Sequence, residues 1–434
     1  MDRIYSSRWF HFMAAAVITG SILIAYSNTF HAAFQFDDLP QIVENDSLKS
    51  LSNLTTLLRQ NRGVTMATFA LNYAWGGLDV TGYHIVNTAV HALASFFAYL
   101  LLYNIFRTAG AKEAWSKRVA FFSALFFAVH PIQTQSVTYI VQRMESLASL
   151  FYILALFFFV LGANAATAPK RLLLYSATIA AYVLGFYSKE IAITVPAVIL
   201  LTDFFFISKK NLRGIVSRLP LYALLFALLG YFLFATIRPL GGFSDLSRES
   251  AVGAEVRKDA VAKEVHPKVQ RDVQPVFEGP SAGFSQTAIT PKEYLYTQFN
   301  VLLYYIGLLI VPVNQNLDYD FPVAKSLNRS PAVNSGTVLN LPVWPPVVSL
   351  MILLGIAALA FYLLFRPSKD GSAGLIVSFF IFWFFIILSP TSSVVPIIDV
   401  IYEHRVYLAS LGFFTVLVIC ADTLAARVFS RMGA

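Results

Sequence analysis

The sequence predicts an all-α polytopic membrane protein. Of its 434 residues, 57% are hydrophobic and only 13% are charged. The mean hydropathy of +0.64 is far too high for a soluble domain of this length. Its basic residues are scattered between apolar runs, which argues against a nucleic-acid-binding surface, and the single cysteine, Cys420, excludes an intrachain disulfide.

Ten apolar segments are long enough, or nearly so, to cross a bilayer as helices. They cover about residues 9–29, 84–106, 118–129, 146–163, 172–187, 190–207, 219–237, 346–366, 374–390 and 406–424. The shorter ones must tilt or pack against neighbours. We expect the first to be an uncleaved helix, with signal-peptide cleavage near His31 as the alternative. An eleventh apolar run, 295–312, lies between polar stretches.

Basic residues set the expected orientation. With 295–312 as a re-entrant or interfacial helix, ten crossings place both termini in the cytoplasm. The expected cytoplasmic bases are Arg3, Arg8, Arg107, Lys112, Lys117, Arg118, Lys170, Arg171, Lys209, Lys210, Arg213, Arg218, Arg366, Lys369, Arg427 and Arg431. We therefore divide the chain into a transmembrane module (1–238), an external region (239–345) and the last transmembrane helices (346–434).

Three polar regions are expected on the opposite, external side. In region 31–82, helix-start residues Asn45-Asp46-Ser47 precede leucines at 48, 51, 54, 57 and 58, which predicts one helix lying flat in the membrane interface. Region 239–294 is expected to be a long polar loop. Region 313–345 is rich in Asn and Pro and contains Asp318 and Asp320.

An acidic stretch, Phe34-Gln35-Phe36-Asp37-Asp38-Leu39-Pro40, follows the first helix and predicts a site. Charges near the bilayer core cost about 2.5–3.5 kcal/mol each, so a cluster of them on one face indicates function. A turn at Asp37-Asp38 or a Lys189–Glu190 ion pair is the structural alternative. The other members expected at this face are His84, His130, Gln133, Gln135, Arg143, Glu145, Lys189, Glu190, Glu403, His404 and Arg405.

The second predicted helix carries His84, Asn87 and His91 on one stripe. Two helical turns separate the histidines by about 10 Å, so they are not expected to share a metal ion. His91 is expected in a buried hydrogen-bond stripe, whereas His84 could reach the site. A divalent ion, Mg²⁺ or Mn²⁺, on Asp37 and Asp38 or on Asp318 and Asp320 is left open.

The chain resembles the GT-C superfamily of glycosyltransferases that use lipid-phosphate sugars, above all the transmembrane O-mannosyltransferase (TMTC-like) group. The stretches that carry the resemblance are FQFDDLPQIVEND, GYHIVNTAVHAL, HPIQTQSVTYIVQRMESLASLFY, YSKEIAITVPAVILLTDFFF and EHRVYLASLGF. Eukaryotic members typically have His and Glu where this chain has Gln133 and Gln135, which puts a shared role for these two in doubt. The group's tetratricopeptide repeats do not follow the last predicted helix, so an acceptor-recruiting domain is expected to be missing or supplied by another protein.

The resemblance implies a GT-C-like bundle of about 10–11 transmembrane helices with external interfacial helices. It also implies a polyprenyl-phosphate hexose donor and a catalytic carboxylate in the first external loop, here Asp38 or Asp37, with a slight preference for Asp38. One carboxylate would act as general base on an acceptor hydroxyl of a protein or glycan, with inversion at the sugar carbon. Arg405, Lys189 and Arg143, in that order, with His404, are the candidates for the donor phosphate.

Two other functions remain open at this stage. An O-antigen ligase or polymerase would carry its catalytic groups mainly in the 239–294 loop. A lipid-linked-sugar transporter would place ionisable groups at the midplane, usually within inverted repeats, which we do not find here. Membrane lipids, a lipid donor and an acceptor are the expected partners, without nucleic acid, in a bacterial inner membrane with the site facing the periplasm.

Overall fold

The computed structural model describes residues 4–5, 7–237, 282–283, 288–333, 342–366 and 373–432, and these ranges are built almost entirely from helices. Apart from an isolated bridge between Ala282 and Ile397, they contain no strand pairing. The α-helices are α1 (Phe10–Ala25), α2 (Leu54–Leu58), α3 (Gly63–Gly76), α4 (Val80–Thr108), α5 (Glu113–Val129), α6 (Thr134–Thr138), α7 (Arg143–Ala163), α8 (Ala168–Phe186), α9 (Val195–Thr202), α10 (Leu212–Val216), α11 (Leu219–Ile237), α12 (Pro291–Ile310), α13 (Pro346–Phe365), α14 (Ala373–Leu388) and α15 (Tyr407–Met432).

Several helical segments are long and apolar enough to cross a membrane. Five meet this criterion, namely Val80–Thr108, Ile140–Ala163, Glu190–Ile207, Pro346–Phe365 and Glu403–Ser430. Shorter apolar helices cover Phe10–Ala25, Leu219–Ala235 and Ala373–Leu388. The predicted all-α polytopic membrane fold is therefore confirmed, while the number of ten crossings stays a prediction.

Small side chains bring the central helices close together. Helix α4 packs against α5 and α7, α7 packs against α8, and α15 packs against α5 and α14. Ala94 and Ala98 of α4 are fully buried, as is Ala148 of α7. At the α14–α15 crossing, a Cβ on Gly412 would lie 2.7 Å from the Trp383 ring, so only glycine fits there. Close packing of this kind holds helices together in lipid, where the hydrophobic effect between helices is weak.

The connections between helices gather at two opposite ends of the bundle. The loop-rich end contains 26–62, 130–142, 187–190, 311–333 and 389–406. Hydrogen bonds that join these connections run from His84 to Ala32, from Asp38 to Val141, from Arg62 to Glu190 and from Gln315 to Glu403. The basic end contains 108–112, 164–171 and 208–218, where Asn164 bonds to Thr108 and Lys210 to the Leu364 carbonyl. This division agrees with the expected alternation of the segments.

Helix α12, which contains the apolar run 295–312, contacts the loop-rich end along its whole length. A capping box between Thr290 and Glu293 starts the helix. Near its beginning Tyr294 donates to the Thr391 carbonyl, and near its end Tyr305 donates to the Tyr402 carbonyl. Both halves of the helix therefore bond to the segment 391–402. That α12 is an interfacial or re-entrant helix stays a prediction.

The single interfacial helix predicted from Asn45 onward is wrong. Three short turns cover this region instead, the 3₁₀ turns Asp46–Lys49 and Leu51–Asn53 and then α2. Asn45 accepts a hydrogen bond from the Ser47 N–H, and Ser50 accepts one from the Ser52 N–H, so each polar side chain starts a new turn. Leu48 and Leu57 are buried, whereas Leu51 is exposed.

Most of the predicted polar loop, 239–294, lies outside the described residues, as do 334–341. The proposed boundaries at 238 and 345 therefore stay predictions.

The placement of α12 can be tested by cysteine labelling. In a chain whose Cys420 is changed to serine, we expect cysteines at Ser52 and Asn328 to react with an impermeant thiol reagent from the same side. A cysteine at Lys209 should react only from the other side. All three native side chains are exposed or lie in turns. Reaction of positions 52 and 328 from opposite sides would show that α12 crosses the membrane.

Candidate functional site

The acidic stretch forms a tight turn held by the buried carboxylate of Asp38. This side chain is only 1% exposed. Its Oδ1 accepts a hydrogen bond from the Val141 N–H at 2.7 Å, and its Oδ2 accepts one from the Gln35 N–H at 3.0 Å. Asp38 thus closes its own turn and fastens the connection after α1 to the segment before α7.

Burial raises the pKa of the Asp38 carboxyl group to about 6, because the hydrogen bonds from Gln35 and Val141 only partly offset the loss of solvation. At neutral pH the group is therefore still ionised. An ionised carboxylate acts only as an acceptor, which matches its two N–H donors.

Asp37 has a different environment. Its side chain is exposed, while its N–H donates to the Tyr139 hydroxyl at 2.8 Å. Its negative charge contributes to raising the pKa values of Arg62 and, in the connection before α15, of Asp399 and Tyr402. The residue before it, Phe36, has a φ of 41°, an unfavourable conformation for a bulky residue. The turn therefore holds the Asp37 carboxylate in solvent, on the side of the connection before α15.

A further acidic side chain lies across from this turn. Burial raises the pKa of Asp399, opposed by Arg405, and the charges of Asp318 and Asp37 raise it further. The three carboxylates therefore influence one another, although they belong to three different connections.

The Asp37–Asp38 pair does not fit a divalent ion. Asp38 is only 1% exposed and each of its oxygens already accepts a backbone N–H group, so its carboxylate offers no open position to a metal ion in this arrangement. Within the described ranges, no group of three or more His, Cys, Asp or Glu side chains could hold a metal ion. We therefore route no chemical step through a metal.

Arg143 is fully buried and its guanidinium group is used inside the protein. Nε donates to Asn87 Oδ1 at 2.6 Å, Nη1 to the Thr68 hydroxyl at 3.2 Å and Nη2 to the Tyr83 carbonyl at 3.0 Å. The guanidinium carbon also lies 4.5 Å from the centre of the Phe69 ring. In this geometry the Arg143 side chain joins α3, α4 and α7 and has little left for a phosphate. Its predicted binding of the phosphate of the sugar donor stays a prediction with less support.

Lys189 and Glu190 do not pair with each other, contrary to the structural alternative considered from the sequence. Lys189 Nζ lies 2.9 Å from Glu145 Oε2 and donates to Gln142 at 3.1 Å. Among the residues that the structure describes, the other oxygen of buried Glu145 has no hydrogen-bond partner. Glu190 instead accepts from Arg62 Nε at 3.1 Å and Nη2 at 3.0 Å. Two ion pairs therefore lie side by side at the loop-rich end.

The Glu403-His404-Arg405 segment forms the opposite wall. Glu403 accepts hydrogen bonds from the Asn316 N–H at 2.9 Å, from Gln315 and from the Tyr319 hydroxyl. Arg405 is buried, and its two terminal nitrogens donate to the carbonyls of Asp399 at 2.8 Å and Val400 at 3.3 Å.

His404 is positioned by Gln135. The Gln135 Oε1 accepts from the His404 N–H at 2.6 Å and lies 3.0 Å from its Nδ1. The positive charges of Lys189, Arg405 and Arg62 each contribute to lowering the pKa of the His404 ring. Three cations thus converge on one side chain from three connections.

The remaining predicted residues lie at the same end and form supporting contacts. His84 Nε2 lies 3.0 Å from the Ala32 carbonyl, and Gln133 donates to Ser410 at 2.8 Å. His130 Nδ1 accepts from the Ile132 N–H at 3.2 Å. His91 is buried deeper, 2.7 Å from the Tyr407 hydroxyl, as the hydrogen-bond stripe predicts.

Arg62 is the main site residue that sequence reasoning missed. Its side chain is 36% exposed, more than that of Lys189 at 14%. The available signal was an arginine followed by glycine between two short apolar segments of the first external region. Its partner Glu190 lies 128 residues away, which the sequence alone does not reveal.

Fold and site together define a polytopic helical membrane protein in which an exposed carboxylate, Asp37, lies at the same end as the ion pairs of Arg62 and Lys189. The chain is similar to mouse (Mus musculus) protein O-mannosyl-transferase TMTC3, with 32% identity over 160 residues that make up 33% of this chain and 16% of the relative. It is 29% identical over 222 residues to human (Homo sapiens) TMTC1 and 28% identical over 229 residues to Xenopus laevis tmtc2, which is 46% and 47% of this chain.

These comparisons confirm the resemblance to the TMTC group. The matched part spans only 24% of human TMTC1 and 26% of the Xenopus relative. No family model and no solved structure matches the chain.

The role of Arg143 can be tested by Arg143→Lys. Lysine keeps the charge but cannot reach Asn87, Thr68 and Tyr83 with one planar group. Each lost hydrogen bond from a charged donor costs roughly 1.5–3 kcal/mol, so we expect the unfolding temperature in detergent to fall by several degrees. The control is Arg118→Lys, which keeps a charge pair with Asp422 at the basic end. This variant should lower the unfolding temperature less. Equal effects of the two variants would contradict the proposed role.

Proposed function

We propose that this chain is an integral-membrane inverting glycosyltransferase of the GT-C type. It would move a mannose-like hexose from a polyprenyl-phosphate donor to an acceptor hydroxyl. The observation that carries this proposal is the turn in which buried Asp38 holds exposed Asp37 where its charge acts on the partly exposed Arg62. The names of the TMTC relatives, which are protein O-mannosyl-transferases, support the sugar and a protein acceptor.

Asp37 is the better placed general base. It removes the proton from the acceptor hydroxyl while the hydroxyl oxygen attacks the anomeric carbon. The bond between that carbon and the phosphate oxygen breaks, and the lipid phosphate leaves with the bonding electrons. Asp38 is only 1% exposed and already accepts two backbone N–H groups, so an acceptor hydroxyl reaches it less readily than Asp37. We therefore assign it to positioning, although the resemblance slightly favoured it as the base.

Cations opposite Asp37 would stabilise the leaving phosphate. Charge that develops in a site from which water is excluded is stabilised strongly by preset donors. Arg405 and Lys189 were predicted for this task, and Arg62 joins them because it is partly exposed and acts on both Asp37 and His404. Their existing partners hold these cations in place before the donor arrives.

The loop-rich end would face the periplasm if the chain resides in a bacterial inner membrane. The positive residues of the basic end support this orientation through the positive-inside rule. A lipid-linked sugar donor is already in the membrane. This agrees with a candidate site that is formed by the described loops at one end of the helix bundle. The acceptor would then approach from the aqueous side, as a protein Ser or Thr or as a glycan.

The base assignment predicts a contrast between Asp37 and Asp38. Asp37→Asn should lower kcat by about 10²–10⁴-fold, the usual contribution of a general base, without changing the unfolding temperature. Asp38→Ala should lower the unfolding temperature, because two buried N–H groups lose their acceptor. The measurement is mass spectrometry of products formed from polyprenyl-phosphate mannose and an acceptor peptide.

Asp46→Asn serves as the control for this pair. Asp46 is an exposed carboxylate in the same external region, and its only described ion pair is with Lys49 on the surface. It should retain full activity. Full activity of Asp37→Asn would rule out Asp37 as the base.

A second prediction concerns the donor phosphate. Arg405→Lys keeps a positive charge but loses the planar fork that reaches two carbonyls and a phosphate. We expect the KM for the lipid donor to rise about tenfold, the effect of roughly 1.4 kcal/mol, with little change in the KM for the acceptor. Arg329→Lys, at an exposed position of the same end, is the matched control. A change confined to the acceptor KM would place Arg405 away from the phosphate.

A further inference from the structure

A cavity lies at the basic end of the bundle, away from the candidate site at the loop-rich end. Its volume is about 360 Å³, within the range of about 300–1,000 Å³ that is typical of ligand pockets. It is formed where α7 ends, α8 begins and α11 begins. Its lining residues are Ala163, Arg171, Tyr175, Ser217, Arg218, Pro220 and Leu221.

Two guanidinium groups line this cavity, and one of them is paired with a buried carboxylate. Arg218 pairs with Asp203, which is fully buried and also accepts from the Tyr222 hydroxyl at 2.5 Å. Arg171 donates to the Ala165 carbonyl at 3.1 Å. In the ranges that the structure describes, Arg171 belongs to none of the ion pairs. The cluster of Arg171, Arg218 and Asp203 therefore carries one net positive charge.

One wall of the cavity is set by the packing of Tyr175. A Cβ on Gly162 would lie 2.8 Å from the Tyr175 ring, so this glycine allows the ring to pack directly on the α7 backbone. Phe159 stacks on the same ring with 6.1 Å between ring centres. The Tyr175 hydroxyl interacts with the Arg218 guanidinium group. The polar groups of the cavity are thus held in place without a ligand.

Exposed apolar side chains adjoin the cavity. Leu172 and Leu173, which follow Arg171, are each 70% exposed, and Leu219, which follows Arg218, is 60% exposed. Pro220 and Leu221 line the cavity itself. In a membrane protein, such leucines beside arginines are typical of the boundary between acyl chains and headgroups. The surroundings therefore suit a ligand with a charged head and an apolar body.

We propose that this cavity binds the phosphate of an anionic phospholipid headgroup. Arginine donates to phosphate with parallel N–H groups, and basic pockets between transmembrane helices on the cytoplasmic side are suited to such headgroups. Arg171 makes the decisive contact, since its charge is not balanced by a carboxylate in the described part of the chain. The apolar flank favours a lipid over free phosphate. This site does not depend on the proposed glycosyl transfer.

Binding can be tested with the full chain in nanodiscs of phosphatidylcholine, with and without phosphatidylglycerol. Phosphatidylglycerol should raise the unfolding temperature of the wild type, and native mass spectrometry should show retained phosphatidylglycerol. Arg171→Gln should weaken this retention about tenfold, as expected for one lost charge-assisted hydrogen bond. The matched control is Arg213→Gln, which removes the same charge from an exposed position of the same end outside the cavity lining.

Several outcomes decide between the sources of the phosphate. Equal weakening by Arg171→Gln and Arg213→Gln, or no effect of phosphatidylglycerol on the wild type, would overturn the site. Stabilisation by inorganic phosphate as strong as that by phosphatidylglycerol would overturn the lipid as its ligand. If Arg171→Gln does not fold, Arg171→Lys provides the comparison. It should keep partial binding, because lysine binds phosphate as a point charge.

Discussion

The buried hydrogen bond between Arg143 and Asn87 is the contact on which the candidate site depends. Arg143 Nε donates to Asn87 Oδ1 at 2.6 Å, and Asn87 Nδ2 donates in turn to the Ile140 carbonyl at 3.2 Å. The next residue, Val141, donates its N–H to Asp38. A cation that is fully buried must satisfy its donors inside the protein, and here it does so by ordering the 3₁₀ turn Ile140–Gln142 that holds the acidic turn. Loss of this network would release the carboxylates without touching them.

The fold could be predicted largely because hydropathy and spanning length are properties of continuous segments. The region after Asn45 shows where such reasoning stops. Its leucines recur with a helical period, yet Asn45 and Ser50 both accept hydrogen bonds from N–H groups two residues later. These side chains compete with a continuous helix, and periodicity alone does not report that competition. The same rule that places polar residues at helix starts thus explains the wrong prediction.

The candidate site was predictable as a set of residues but not as a set of contacts. Charges that are costly in a membrane point to one end of the bundle whatever their partners are. Partners follow from the tertiary arrangement: Lys189 meets Glu145, while Glu190 meets Arg62. Neighbours in the chain point in different directions, so adjacency was a poor guide to pairing. The two aspartates illustrate the same point, since burial separates a positioning carboxylate from an exposed one.

Backbone geometry supplies an argument for function that does not depend on charge. Three non-glycine residues of the loop-rich end, Phe36, Arg62 and Asn314, have positive φ values of 41°, 58° and 52°. Such conformations cost of order 1–3 kcal/mol each and persist only where the surroundings enforce them. At Gly63 a Cβ would lie 2.3 Å from the Leu57 carbonyl oxygen, so the chain after Arg62 is confined as well. The strain is located where Asp37 and Arg62 are presented to the same space. Lys209 and Lys210, in the connection before α10, also have positive φ values of 49° and 66°, so strain by itself does not mark a site. At the loop-rich end it coincides with the turn that presents Asp37 and with Arg62, the cation on which the charge of Asp37 acts.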